Sequence, residues 1–300
     1  MKAFIGLLCT LLVFPSVFAS EKSPWKLVFE LKGESDSNVV NDDIEEDSGS
    51  DSISRQFKLA MGYKQKLSKK TNVGAYYTYF SKNYLAIDGY DSDIHLVKLK
   101  TSHKFDKLKM NIDGIFANST IDSERFLHLK QLSPSLSYFI NKTNYLHGSV
   151  SLGKKDYEYL EERSVTQKSI SGKYYYMLNG LNHYMTAGIK LKDENAREVL
   201  YSYDMLEFKL AYTYRMQLFD LRTRLNLNYR YQNRDYSDEE HWDIGEFRSD
   251  KRNQFRVAYR INWPLQLYSE LELIRNFNQS NLDSADYNQT KIGLMLGYKL

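Results

Sequence analysis

The chain has 300 residues, with 41 Lys and Arg against 38 Asp and Glu and a formal net charge of +3, which excludes the concentrated basic excess of a nucleic-acid-binding protein. Its single Cys excludes an intramolecular disulfide framework and a cysteine metal cluster. With 14% aromatics, 25 Tyr and only 4 Pro, the composition favours strands; it is too polar for a bundle of membrane helices but suits a barrel whose strands are apolar on one face only.

The first element is a targeting segment. Lys2 precedes an apolar run from Ala3 to Val13, followed by Pro15 and the small residues Ser16 and Ala19, the order of a secretory signal. The expected cut follows Ala19, with Val17 three residues from the cut. The run is shorter than the ~20 apolar residues a membrane-spanning helix needs. Cys9 lies inside it, behind Gly6-Leu7-Leu8 rather than the small residue expected ahead of a lipid-modified Cys. The expected organisation is therefore a signal peptide, 1–19, and one exported domain, 20–300.

That domain alternates. Leu221, Thr223, Leu225, Leu227, Tyr229 and Tyr231 interleave with Arg222, Arg224, Asn226, Asn228, Arg230, Gln232 and Arg234, a period of two that defines a strand with one apolar and one strongly polar face. The pattern recurs with Leu206 to Tyr214 against Glu207, Lys209, Ala211, Thr213 and Arg215, and with Phe255 to Trp263 against Gln254, Arg256, Ala258, Arg260 and Asn262. The last segment sets Ile292, Leu294, Leu296, Tyr298 and Leu300 against Lys291, Gly293, Met295, Gly297 and Lys299.

Read in chain order, the strands are 25–33, 55–67, 71–81, 92–105, 107–118, 124–140, 144–157, 165–178, 181–192, 199–217, 220–236, 247–263, 265–278 and 286–300. They suit the ~9–11 tilted residues that cross a bilayer rather than the ~5–6 of a globular sheet. The sequence thus predicts an all-β transmembrane antiparallel barrel of about 14 strands, an even number that returns both termini to one side. Tight turns at 68–70, 106, 141–143, 179–180 and 218–219 alternate with longer polar loops around 34–54, 82–91, 158–164, 193–198, 237–246 and 279–285, the rhythm of short periplasmic turns and long external loops. Pro134 conflicts with this reading, since its missing N–H removes a ladder bond unless a bulge or the interface accommodates it. Aromatic residues at strand ends, Tyr76, Tyr77, Tyr79, Phe80, Tyr84, Tyr157, Tyr159, Tyr201, Tyr203, Tyr231 and Tyr236, are expected at headgroup depth. The competing architecture, a soluble sandwich, has about seven short strands per ~100 residues.

The chain resembles the barrel of the surface lipoprotein assembly modifier family and related porin-like outer-membrane proteins. The similar pieces are Asp36-Ser37-Asn38-Val39, Tyr229 to Tyr236 ending in Arg-Asp-Tyr, and Arg275 to Asn281 followed by Asp286-Tyr287 and the closing strand. The resemblance implies an outer-membrane location and a role as a non-enzymatic export or assembly partner for surface lipoproteins or other cargo. Assembly modifiers carry a helical repeat domain ahead of the barrel, and nothing helical is read before Trp25.

If the apolar faces meet lipid, the opposite faces line the lumen. The basic lumen face is then Lys209, Arg215, Arg222, Arg224, Arg230, Arg234, Arg256 and Arg260, with Glu207, Glu270 and Glu272 as its acidic members. A basic wall biases a water-filled pore toward anions; the alternative is a network in which Arg and Glu pair across strands and satisfy a plugged interior. The leading expectation is a porin-like channel for small anionic solutes. The expected partners are outer-membrane lipid and lipopolysaccharide, the barrel assembly machinery and a periplasmic or surface-lipoprotein protein, with no nucleic acid.

Two further readings fall to the bland side. Glu34, Asp36, Asp42, Asp43, Glu45, Glu46, Asp47 and Asp51 cluster in the first loop, but without the internal Gly spacing of a calcium loop, so a solvated loop and no metal are expected. Of the six histidines, His95, His103, His128, His147, His183 and His241, only His147 has serines nearby on its own strand face, Ser149 and Ser151. No Gly-rich phosphate loop, His-Glu-x-x-His or Gly-x-Ser-x-Gly is present, so no catalysis and no cofactor are expected.

Overall fold

The computed structural model describes residues 23–41 and 46–300; the expected signal peptide, 1–19, lies outside the described residues. The chain forms β1 (Trp25–Asp36), a small hairpin β2 (Val40–Asn41) and β3 (Glu46–Asp47), then β4 (Ser52–Lys66), β5 (Thr71–Tyr84), β6 (Ser92–Phe105), β7 (Leu108–Ile121) and β8 (Glu124–Phe139). It continues through β9 (Asn144–Tyr157), β10 (Val165–Asn179), β11 (His183–Ala196), β12 (Tyr203–Leu218), β13 (Leu221–His241), β14 (Glu246–Asn262), β15 (Leu267–Ser280) and β16 (Tyr287–Lys299). All strands except β2 and β3 join one closed antiparallel barrel of 14 strands, each paired with its neighbour in sequence, and β1 closing on β16. Closure abolishes sheet edges, the condition under which strands survive in lipid. The seam runs from Val28↔Lys299 to Asp36↔Lys291, and Leu27 and Leu300 exchange backbone hydrogen bonds at its end.

The alternation sorts side chains between two environments. On β16 the outward Leu294 and Leu296 are 59% and 60% exposed, whereas on β15 the inward Glu270 is 3% exposed. An apolar outer belt with a polar interior inverts a soluble protein and matches a barrel solvated by lipid. At the short-turn end the outer face carries Trp25, Phe105, Tyr138, Tyr214 and Trp263, all exposed, a girdle suited to the headgroup region.

The structure changes several details. Glu34 and Asp36 belong to β1 and face inward, not to the acidic loop, while Asp42, Asp43 and Glu45 lie outside the described residues. The expected long loop 237–246 is mostly strand: β13 runs to His241 and β14 starts at Glu246, leaving a hairpin of 21- and 17-residue strands that projects past the others. Residues 199–201 form a 3-10 turn, so the tenth barrel strand begins at Tyr203. No bulge accommodates Pro134. The β8–β9 register is unchanged from Leu132↔Leu152 to Ser135↔Ser149, and the two intervening positions go unpaired.

Of the aromatic residues expected at headgroup depth, Tyr76, Phe80 and Tyr84 share the inward face of β5 with Lys82, while Tyr157, Tyr203 and Tyr236 lie inward on β9, β12 and β13. Aromaticity near a strand end does not by itself select the outer face; strand parity does.

Candidate functional site

The inward face of β12 to β15 follows directly from register. Arg215 sits opposite Arg224, Arg224 opposite Arg260, and Arg260 opposite Glu270. Three inward positions toward the loops, Lys209 faces Arg230, and Arg230 faces Gln254; farther along, Glu207 faces Gln232, and Arg234 faces Asp250. Arg222 lies nearest the short turns, opposite Gln217, and Arg256 lies between Asn228 and Ile274.

These charges condense into an ion-paired belt that begins near the short turns on β13 to β15. Glu270, 3% exposed, contacts Arg260 at 2.7 Å and Arg224 and Arg256 at 3.4 Å each. Glu272 accepts from Arg256 and from Lys32 of β1, the latter at 2.5 Å. Lys32 also reaches Glu34, and Glu34 pairs with Lys82 of β5 at 3.2 Å. Glu30 accepts from Lys58 at 2.9 Å and from the Tyr268 hydroxyl. The interior would be prohibitive for single charges, and each is held because an opposite charge is within reach.

Glycine makes this belt continuous across β16. A Cβ on Gly293 would lie 2.3 Å from Lys32 Cε, and one on Gly297 would lie 2.2 Å from Tyr268 Cζ. The two bare positions therefore form windows through which Lys32 passes to Glu272 and Tyr268 passes to Glu30. Arg260 covers the outer side of the Tyr268 ring, 4.1 Å from its centroid.

Cavities open on either side of the belt. At the short-turn end a cavity of 780 Å³ is lined by Arg215, Arg222, Arg224, Arg260 and Lys299, with no carboxylate in its wall. At the loop end a cavity of 250 Å³ is lined by Lys155, Arg163, Lys192, Arg230, Arg234 and Arg252, with Glu194 as its carboxylate. Lys209 pairs with Glu207 at 2.7 Å, and both border a third hollow of 220 Å³ with Lys173 and Lys190.

The sequence-predicted basic residues thus separate into groups rather than one wall: Arg215 and Arg222 at the short-turn cavity, Arg224 and Arg260 shared between that cavity and the belt, Arg256 in the belt, Lys209 at the third hollow, and Arg230 and Arg234 at the loop cavity. Lys32, Glu30, Glu34, Lys58, Lys82, Lys155, Lys192, Glu194, Asp250 and Arg252 complete these groups and were missed. Asp250 and Arg252 carried a signal, since they share the parity of Arg256 and Arg260 on β14; Lys58 on β4, Lys82 on β5 and Lys155 on β9 lie on strands where no lumen-facing residue had been recognised.

His147 bonds the hydroxyl of Ser137 on β8 at 2.9 Å, while Ser149 and Ser151 bond Ser171 and Ser133. The same-strand serines are therefore not brought to the imidazole. Among the described residues no group of three or more His, Cys, Asp or Glu is arranged to hold a metal ion.

The fold is similar to that of the outer membrane channel DcaP of Acinetobacter baumannii, with a TM-score of 0.56 and 10% identity over 92% of this chain and 97% of that one. It is also similar to an anion-selective porin from Comamonas acidovorans, TM-score 0.53 and 7% identity over 92% and 98% of the two chains. A third likeness is to a loop L8 deletion mutant of OmpT, an outer membrane protein of Vibrio cholerae, TM-score 0.52 and 8% identity over 92% and 99%. This chain has the fold of the porin-like outer-membrane β-barrels. No family model matches the sequence, and no curated protein matches it. At these identities the likeness concerns the barrel; charge and specificity rest on this chain's own residues.

Proposed function

We propose that this barrel is a porin-like channel that passes small anionic solutes. The observation that carries the reading is the cationic cavity at each end of the interior: the short-turn cavity is lined by five Arg or Lys and no carboxylate, two of them, Arg224 and Arg260, shared with the belt where they pair with Glu270, and the loop cavity is lined by six with one carboxylate. Cations concentrated at both mouths raise the local anion concentration and lower the electrostatic barrier to anion entry. The paired belt between them supplies a polar surface with little net charge.

Lys209, Arg215, Arg222, Arg224, Arg230, Arg234, Arg256 and Arg260, with Glu207, Glu270 and Glu272, form the proposed permeation wall. The apolar belt meets outer-membrane lipid, the external loops meet lipopolysaccharide, and the closing strand ending at Leu300 meets the barrel assembly machinery.

The test is single-channel recording of refolded residues 20–300 in a planar bilayer under a salt gradient. Steady conductance with anion preference is expected, and joint replacement of Arg222, Arg224 and Arg230 by Gln is expected to weaken that preference. Unchanged reversal potentials in the triple variant would refute the basic-wall reading. The second reading, an export or assembly partner for surface lipoproteins or other cargo, is favoured by the ion-paired belt insofar as it occludes the interior. A folded but non-conducting barrel that co-purifies with a surface lipoprotein supports it.

A further inference from the structure

The ion-paired belt runs over β13 to β15 and on to β1, β4 and β5, whereas the hollow of 220 Å³ lies near the middle of β8 to β12. Register sets its wall: Ser151 pairs with Ser169, Ser171 with Lys190, and Lys190 with Glu207. Two glycines give it depth. The Lys173 stem lies across Gly188, where a Cβ would sit 3.3 Å from Lys173 Cγ and 3.9 Å from Lys209 Cβ, so Lys173 of β10 leans over β11 toward Lys209 of β12. Gln167 crosses Gly153 in the same way, a Cβ there lying 2.7 Å from its Nε2, and donates to Gln131 of β8 at 3.3 Å. That carboxamide bridge bounds the hollow on its loop side.

The charges around this space do not cancel. Glu207, 5% exposed, is held by Lys209 at 2.7 Å and by the Gln232 amide at 2.7 Å. Lys190 is the cross-strand neighbour of Glu207, yet Glu207 and Glu194 act on it only at longer range, beyond ion-pair distance. Lys173 has no carboxylate at ion-pair distance among the described residues, and the Ser169 hydroxyl bonds no side chain there. Three ammoniums against one carboxylate leave two net positive charges. Ammoniums and hydroxyls arriving from separate strands suit an anion whose oxygens point in several directions; the flat guanidinium fork that matches a carboxylate does not line the hollow. Glu207 adds a selection. An ionised carboxylate only accepts hydrogen bonds and retains lone pairs beyond those two donors, so it favours an anion that carries a hydrogen of its own. Orthophosphate keeps a P–OH group at neutral pH, and sulfate has none.

We propose that this hollow is a binding site for orthophosphate in its hydrogen phosphate form; the proposal deepens the anion-channel reading and rests on it for the route by which phosphate arrives and leaves. Lys173, Lys190 and Lys209 counter the dianion, Ser169 donates to one of its oxygens, and Glu207 accepts from the P–OH group. The 220 Å³ is below the ~300–1,000 Å³ of sites that enclose drug-sized ligands, which suits a small ion with its nearest waters.

The experiment is calorimetric titration of the full refolded barrel with sodium phosphate and with sodium sulfate, in an uncharged detergent free of phosphate groups and at constant sodium chloride, run beside the bilayer recording. Phosphate is expected to bind at least about tenfold more tightly than sulfate. Lys190→Gln and Lys173→Gln, each checked for heat-dependent gel mobility, are each expected to weaken phosphate by about tenfold, the loss of one charge-assisted contact. Ser169→Ala, which removes only a hydroxyl, is expected to weaken it severalfold. Glu207→Gln is expected to bring the phosphate and sulfate affinities together. Equal affinity of the unaltered barrel for the two anions would overturn the phosphate assignment, and phosphate binding unchanged in both lysine variants would overturn the site. An anion-selective channel that binds no phosphate would overturn the site and leave the channel reading standing. Phosphate binding by a silent barrel would support the site while refuting the channel.

Discussion

Replacing Gly297 by Ala puts a methyl group 2.2 Å from Tyr268 Cζ, inside the contact distance of two carbons. Tyr268 is 4% exposed and sits between the Arg260 guanidinium and the backbone of β16. The obstruction is to a ring rather than to backbone, so the barrel still closes and the ring swings away. It then gives up its hydrogen bond to the Glu30 carboxylate and its stacking on Arg260. A hydrogen bond to a charged group contributes about 1.5–3 kcal/mol and a cation–π contact about 0.5–2 kcal/mol, so Gly297→Ala should destabilise by about 2–5 kcal/mol. The assay is reversible urea unfolding in lipid vesicles, followed by tryptophan fluorescence and heat-dependent gel mobility. The decisive comparison is a double-mutant cycle with Tyr268→Ala: once the ring is gone, the added methyl should cost less than about 0.5 kcal/mol. If Gly297→Ala retains its full cost in the Tyr268→Ala background, the window argument is wrong and the glycine serves the backbone instead.

Glu270→Gln leaves the guanidiniums of Arg224, Arg256 and Arg260 without their shared carboxylate; breaking such a buried pair costs about 3–5 kcal/mol, measured by the same unfolding assay, and anion preference should rise in bilayer recordings. Pro134→Val should act in the opposite direction, gaining about 0.5–1.5 kcal/mol by restoring a backbone bond where the β8–β9 ladder is interrupted; a less stable variant would refute that reading. Deleting Leu300 removes both backbone bonds that it exchanges with Leu27, and the fraction of heat-modifiable barrel formed in vesicles should fall, with the variant's own melting behaviour reporting the seam.

Strand number, order and polarity of each face were legible in the sequence because a side-chain period of two is written directly into residue order. The alternation through Arg222 to Arg234 and through Ile292 to Leu300 identified both faces without any knowledge of neighbours. Length also followed, since every lipid-crossing strand must span the same bilayer. Local signals failed where parity and type disagreed: Tyr157, Tyr203 and Tyr236 have the composition of a girdle but inward parity, and Glu34 and Asp36 have the composition of a loop but continue a strand.

Tertiary structure alone decided which charges meet. Parity says that Arg224, Arg256, Arg260, Glu270 and Glu272 share a face, but only the stagger between strands brings Arg224 of β13, Arg256 and Arg260 of β14 to one carboxylate on β15. The link from Glu272 to Lys32 joins residues 240 positions apart and depends on β1 closing against β16. Gly293 and Gly297 read as weak strand formers in sequence; in the barrel they are the openings that let Lys32 and Tyr268 cross. Register and closure are properties of the whole ring, set by the sum of all fourteen pairings, so no single segment encodes them.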